Sequence, residues 1–186
     1  MYDLPDSNHG TVKVRIGEID YLADSGMLLG EPVQLDGNLL IKTDGPVRFE
    51  VEYPDEGTFI WVDYAPSPEF IPCRLRQDPV DWKFFEERYE ASRIFSPFNE
   101  RLYLRKMNGD GVDILLGNTH FRRRGDDLEA REMSAEELCT AIHEIGGVSE
   151  SLINRWADAG GLDTSINPSG PGPDFPDCGP RPSRRV

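Results

Sequence analysis

The chain has 186 residues with 34 Asp and Glu against 20 Lys and Arg, and its net charge of −14 argues against a nucleic-acid backbone as a general partner. Hydrophobic residues make up 38%, enough for a core, while 15 prolines and 18 glycines point to a loop-rich fold of short strands. No apolar run approaches the ~20 residues of a membrane helix, and Met1 opens a polar stretch rather than a signal peptide, so no membrane partner and a cytoplasmic location are expected.

Residues 1–10 are polar and read as a flexible start. From Thr11 the pattern alternates strictly, with Val12, Val14 and Ile16 on one face and Lys13 and Arg15 on the other. Gly17-Glu18 turns the chain into a second run over 19–23, which predicts a β-hairpin. Further strand-like runs lie at 33–35, 39–41, 47–51 and 58–62, separated by turn signals such as Asp36-Gly37 and Asp44-Gly45-Pro46. This spacing predicts a small antiparallel barrel or a sandwich.

Pro66, Pro68, Pro72 and Pro79 then mark a crossing segment without regular pairing. A helix is expected over 81–91, with Trp82, Phe85 and Tyr89 at helical spacing. A second hairpin system follows, with strands over 101–106, 112–116, 118–124 and 128–132. Ser134 and Glu137 form a capping box that opens a helix carrying Leu138, Cys139, Ile142 and Ile145 on one face. A further short helix covers 150–159 and closes at Gly160-Gly161. The Pro/Gly/Ser-rich stretch from Asn167 to Val186 is expected to be disordered.

Chemistry-bearing residues are few. His9 and Asp24 stand 15 residues apart with the first hairpin between them, and antiparallel pairing brings the two ends of such a hairpin together. An Asp beside a His holds one imidazole nitrogen and stabilises the imidazolium form, the base-and-orienter half of a catalytic triad. His120 reads as a solvent-facing strand residue and His143 as a surface residue. Cys73, Cys139 and Cys178 show no paired spacing, so neither a disulfide framework nor a metal site is expected. Cys139 falls on the apolar face of the capped helix, where packing is the default. The Arg122-Arg123-Arg124 run, near Arg101, Arg105 and Lys106, reads either as a solvated strand edge or turn or as an anchor for a small anionic ligand. Trp61, Trp82 and Trp156 are expected in core or interdomain packing.

The run Tyr21-Leu22-Ala23-Asp24-Ser25-Gly26-Met27-Leu28, preceded by His9, resembles the Tyr-Leu-Val-Asp-Val-Gly-Phe-Gly-like run of the arylamine N-acetyltransferases. Glu31-Pro32-Val33-Gln34-Leu35 is similar to that family's Pro-Leu-x-Leu, and Ser96-Pro97-Phe98-Asn99-Glu100-Arg101-Leu102 to its Ser-x-Phe-x-x-x-Leu segment. The closing hairpin and capped helix, 114–145, resemble its terminal lid. The likeness spans roughly residues 5–147.

It implies an α+β fold: a small antiparallel β-barrel over 11–80, an α/β lid over 81–161, and a disordered tail over 162–186. It also implies acetyl transfer from acetyl-CoA to an arylamine, hydrazine or related amine through a Cys-His-Asp triad. His9 and Asp24 would be two catalytic members, and Gly26, Ser96 and Phe98 would line the CoA site. The family's Cys-bearing helical bundle would lie before Met1, and none of the three cysteines takes its place by position. Little activity is therefore expected of the isolated chain, with an exposed apolar patch at the His9–Asp24 edge and self-association or a protein partner through it. The alternatives are a non-catalytic CoA- or protein-binding module and a truncated product. Met27 and Leu28 depart from the family's Phe-Gly.

Overall fold

The computed structural model describes residues 9–24, 26, 32–35, 40–42, 49–52, 58–63, 70–75, 79–95, 99, 101–125 and 127–168. These fall into two compact units, one up to Ser92 and the other from Arg93.

In the first unit, β1 (Val12–Ile16) and β2 (Ile19–Ala23) form the expected antiparallel hairpin, with Ile16 opposite Ile19. The tight turn works because Gly17 takes φ 64°, a left-handed conformation that costs glycine little. β3 (Val33–Leu35) joins β2, setting Val33 opposite Leu22, and both side chains are buried. A second antiparallel sheet runs β4 (Leu40–Lys42), β5 (Phe49–Glu52), β6 (Thr58–Asp63) and β7 (Phe70–Leu75) in chain order, with Val51 and Ile60 buried opposite each other.

Two expectations change here. The crossing segment contains a real strand: β7 pairs with β6 over six residues and includes Pro72. β7 is an edge strand, where a proline nitrogen can face away from the ladder without costing a hydrogen bond. The small barrel is also not seen as a closed barrel, because neither sheet closes on itself among the described residues. Closure requires every strand to be bonded on both edges, and among the described residues β1 has a partner on one edge only, with all five of its residues exposed.

Helix α1 (Trp82–Phe95) is longer than predicted and begins where the Asp81 Oδ1 accepts a hydrogen bond from the Phe84 backbone N–H at 2.8 Å. Its aromatic stripe does not lie in a core. Trp82 is 74% exposed and stacks on Phe85 at 5.4 Å between ring centroids.

The second unit is a four-stranded antiparallel meander, β8 (Tyr103–Asn108), β9 (Gly111–Leu116), β10 (Thr119–Arg124) and β11 (Asp127–Glu132), covered by helices. α2 (Ala135–Glu144) opens with the complete capping box: Ser134 Oγ accepts from the Glu137 N–H, and Glu137 Oε2 accepts from the Ser134 N–H at 2.9 Å. Leu138 and Ile142 on its inner face pack with Leu115, Met133 and Ile153 of α3 (Glu150–Asp158). Cys139 and Trp156 pack partly buried against this core. Gly161–Ile166 forms a further short helix, α4, so residues 162–166 do not belong to the disordered tail expected over 162–186. It is held because the Leu102 N–H donates to the buried Ser165 Oγ at 2.8 Å, a long-range bond that composition does not reveal. The tail from residue 169 lies outside the described residues.

Candidate active site

β1 and β2 bring His9 and Asp24 together. Register continues from Val12 opposite Ala23, so the residues just beyond the ladder meet at the open end of the hairpin. Thr11 fastens that end, donating its hydroxyl to the Ala23 carbonyl at 3.2 Å. There His9 Nε2 lies 2.6 Å from Asp24 Oδ2, a short charge-assisted contact.

The two side chains differ sharply in exposure: the Asp24 side chain is 2% exposed and the His9 side chain 39%. Desolvation makes the carboxylate a strong acceptor and fixes the ring, while the imidazole keeps an open side. With Nε2 directed at Asp24, Nδ1 is the nitrogen left to exchange a proton.

Gly26 completes the arrangement by being small. A Cβ built there would come within 2.9 Å of His9 Cε1 and 3.4 Å of Asp24 Oδ1. Gly10, the residue after His9, is backed by the Phe85 ring of α1, which a Cβ at that position would meet at 3.0 Å. Ser96 and Phe98, the other residues assigned to CoA, lie outside the described residues, as do Met27, Leu28 and Cys178. Cys73 belongs to β7, with its side chain outside the described set, and Cys139 is committed to the core of the second unit. Among the described residues no group of His, Cys, Asp and Glu is arranged to hold a metal ion, and no helix is long and apolar enough to cross a membrane.

A second polar centre, in the other unit, was not foreseen. Asp113 sits in the inner strand β9 with a side chain only 1% exposed. Its carboxylate accepts from Asn108 Nδ2 at 2.8 Å and lies 2.9 Å from His120 Nε2 and 3.3 Å from Arg122 Nε. Arg124 approaches it at 3.9 Å. Burial pushes the Asp113 carboxyl up, but bonds from Asn108, His120 and Arg122 outweigh it and hold the group below the ordinary carboxylate range. His120 is therefore not the solvent-facing residue expected: its side chain is 11% exposed and turned onto Asp113. The arginine run is not a strand edge either, since β10 is flanked by β9 and β11. His143 is on the surface, paired through Nδ1 with the Val148 carbonyl at 2.8 Å.

Solved structures supply the comparison. The chain superposes on the Mycobacterium marinum arylamine N-acetyltransferase in complex with CoA with a TM-score of 0.67, at 14% identity over 86% of this chain and 60% of that one. The fold is that of the arylamine N-acetyltransferases. The enzyme from Salmonella typhimurium matches at TM-score 0.64 and 14% identity, over 83% of this chain and 62% of that one. Arylamine N-acetyltransferase C from Bacillus anthracis matches at 0.61 and 17%, over 78% and 59%. This chain thus spans about three-fifths of the length of the acetyltransferases it matches. No protein-family model matches the sequence, and no curated protein does.

Proposed function

We propose that this chain carries the base-and-orienter half of an acetyl-transfer site, with His9 as proton carrier and Asp24 as its orienter. The observation that carries the reading is the 2.6 Å contact between an open imidazole and a buried carboxylate, in an acetyltransferase-like fold. The acyl donor is acetyl-CoA, a choice supported by the CoA complex of the M. marinum enzyme. The acceptor is an arylamine or hydrazine, with Gly26, Ser96 and Phe98 towards the CoA. The barrel and lid of the family correspond to 11–80 and 81–161, and the protein works in the cytoplasm.

His9 Nδ1 takes the proton of a thiol, and Asp24 steadies the imidazolium that results. The thiolate attacks the acetyl thioester carbon, and CoA departs as its own thiol after receiving a proton. The amine then attacks the enzyme-bound thioester, loses a proton to the imidazole, and leaves as the amide with the thiol restored. Cys139 is packed in a core, so on this reading the thiol belongs to a segment outside the described residues, in this polypeptide or another.

The test combines this chain with the Cys-bearing helical part of a structurally similar acetyltransferase, in trans and as a fusion ahead of Met1. Acetylation of an aromatic hydrazine is expected with His9 intact and is lost in His9→Ala. Calorimetric titration of the chain alone with CoA provides the second arm. Heat with CoA but no acetylation favours a non-catalytic CoA-binding module. Neither heat at millimolar CoA nor acetylation favours a protein-binding module and overturns the proposal.

A further inference from the structure

Two edge strands of this fold are complementary to each other and lie in separate sheets. β1 closes one side of the three-stranded sheet and β11 one side of the second unit's sheet. Every residue of both is exposed, whereas the edge strands β3 and β8 are partly covered. β1 reads Val12-Lys13-Val14-Arg15-Ile16, apolar on one face and basic on the other. β11 reads Asp127-Leu128-Glu129-Ala130-Arg131-Glu132, with Asp127, Glu129 and Arg131 on one face and Leu128, Ala130 and Glu132 on the other. The apolar residues of β1 stand bare, with Val12 58% and Ile16 65% exposed. Among the described residues no cation is paired with Asp127 or Glu129: Arg122, opposite Glu129, turns to Asp113, Arg124, opposite Asp127, turns to Asp110, and Arg131 turns to Glu137.

The backbone decides how such strands can meet. In a hairpin with a two-residue turn, the pair flanking the turn is hydrogen-bonded, and bonded and non-bonded pairs alternate from there. Ile16 and Ile19 flank the Gly17 turn, so Lys13 and Arg15 direct their amide and carbonyl groups to the open edge. Arg124 and Asp127 flank the Gly125 turn, so Leu128 and Ala130 do the same on β11, a phase supported by the Met133 N–H donating to the Asn118 carbonyl. Antiparallel docking would set these outward groups against each other and place Lys13 and Arg15 beside Leu128 and Ala130. Parallel docking instead staggers them, with Lys13 facing Asp127, Val14 facing Leu128, Arg15 facing Glu129 and Ile16 facing Ala130.

We propose that β1 of one copy of this chain adds in parallel to β11 of a second copy, extending the sheet across two molecules. Pairing β1 with β1 would oppose Lys and Arg, and pairing β11 with β11 would oppose Asp127 and Glu129 when centred on Leu128, or set Glu129 against Arg131, already held by Glu137, when centred on Ala130, whereas the cross-pairing matches opposite charges at both positions. Lys13 and Arg15 also serve Asp20 within their own hairpin, which keeps an otherwise aggregation-prone edge soluble while single. The contact is head-to-tail, so it grows beyond a dimer unless the rotation between copies closes it.

Sedimentation velocity on the full chain at low salt should show association that rises with concentration. It should weaken about tenfold near 1 M salt, where the Debye length falls to ~3 Å. Asp127→Lys with Glu129→Lys makes both edges basic and Lys13→Glu with Arg15→Glu makes both acidic, so each double variant should sediment as a monomer. An equimolar mixture of the two should associate, because the unaltered β1 of one matches the unaltered β11 of the other and the two reversed strands match as well. The β11 variant touches none of the first hairpin and stands as the test should the β1 variant lose its fold by circular dichroism. A wild-type chain that remains monomeric at every concentration overturns the proposal, as does association that survives in the β11 variant.

Discussion

A side chain on Gly26 would meet His9 Cε1 before anything else, at 2.9 Å, and the imidazole is the movable partner. Gly26→Ala should therefore rotate His9 away from Asp24 while leaving the hairpin folded. The check is the imidazole nitrogen spectrum: the signature of a hydrogen-bonded Nε2 should be lost, with a fall in melting temperature comparable to that of His9→Ala. The dyad should also be asymmetric towards mutation. His9→Ala removes a partner from a carboxylate that is almost fully buried, a loss of about 1–3 kcal/mol. Asp24→Asn keeps an acceptor in the buried position and leaves a half-exposed ring, so it should cost less in stability while withdrawing the charge that steadies the imidazolium. Chemical denaturation of the two variants decides the order. At Asp113 the same logic is stronger. Asp113→Ala leaves His120 and Arg122 crowded around an empty place in an inner strand, and should cost about 3–5 kcal/mol, against less for Asp113→Asn.

Elements whose side chains alternate or repeat cleanly were readable, because burial on one face imposes that period on the sequence. The first hairpin, the four-stranded meander and the Ser134–Glu137 helix start all stand within a residue or two of where the pattern puts them. The His9–Asp24 contact was legible for the same reason, since a two-residue turn fixes which residues meet at the far end. What failed depended on partners distant in sequence. α4 hangs on a bond spanning 63 residues from Leu102 to Ser165, and β7 was hidden by a proline that an edge strand tolerates. Asp113 had left a trace: an Asp inside the run Val112-Asp113-Ile114-Leu115-Leu116 is misplaced in a buried strand unless partnered, and His120 and Arg122 follow on the neighbouring strand. Trp82 failed in the other direction, because helical spacing of aromatics shows a face without saying whether anything covers it. At this scale the capping box is the feature to perturb. Ser134→Ala should cost about 1 kcal/mol, seen as faster amide exchange over the first turn of α2 before the rest of the helix.

For the whole molecule, charge sets the response to pH. The net charge of −14 at neutral pH falls towards zero near the sequence pI of 4.6, so general repulsion is relieved on the way down. Three carboxylates act in the opposite sense. Hydrogen bonding from Arg15 lowers Asp20 from 3.8 to about 2, and the Ser134 backbone bond with Arg131 lowers Glu137 from 4.5 to about 2. Asn108, His120 and Arg122 hold Asp113 low as well. A carboxyl group with a depressed folded pKa binds fewer protons folded than unfolded. Its contribution is thus complete above the unfolded value, near 4, and is lost as pH falls through the folded value, about 2 for Asp20 and Glu137 and below the ordinary carboxylate range for Asp113. Asp20 and Glu137 are exposed, so solvent screening keeps their share small, whereas the buried Asp113 centre dominates the acid side. The melting temperature should hold or rise from pH 7 to about pH 5 and then drop steeply below about pH 4. In Asp113→Asn the protein should start less stable at pH 7, and its acid limb should be visibly shallower, since the group that titrates there is gone. An acid limb as steep in Asp113→Asn as in the wild type would place the loss elsewhere. High salt separates the two effects, flattening the rise between pH 7 and 5 by screening the surface while leaving the drop below pH 4, which belongs to a buried carboxylate.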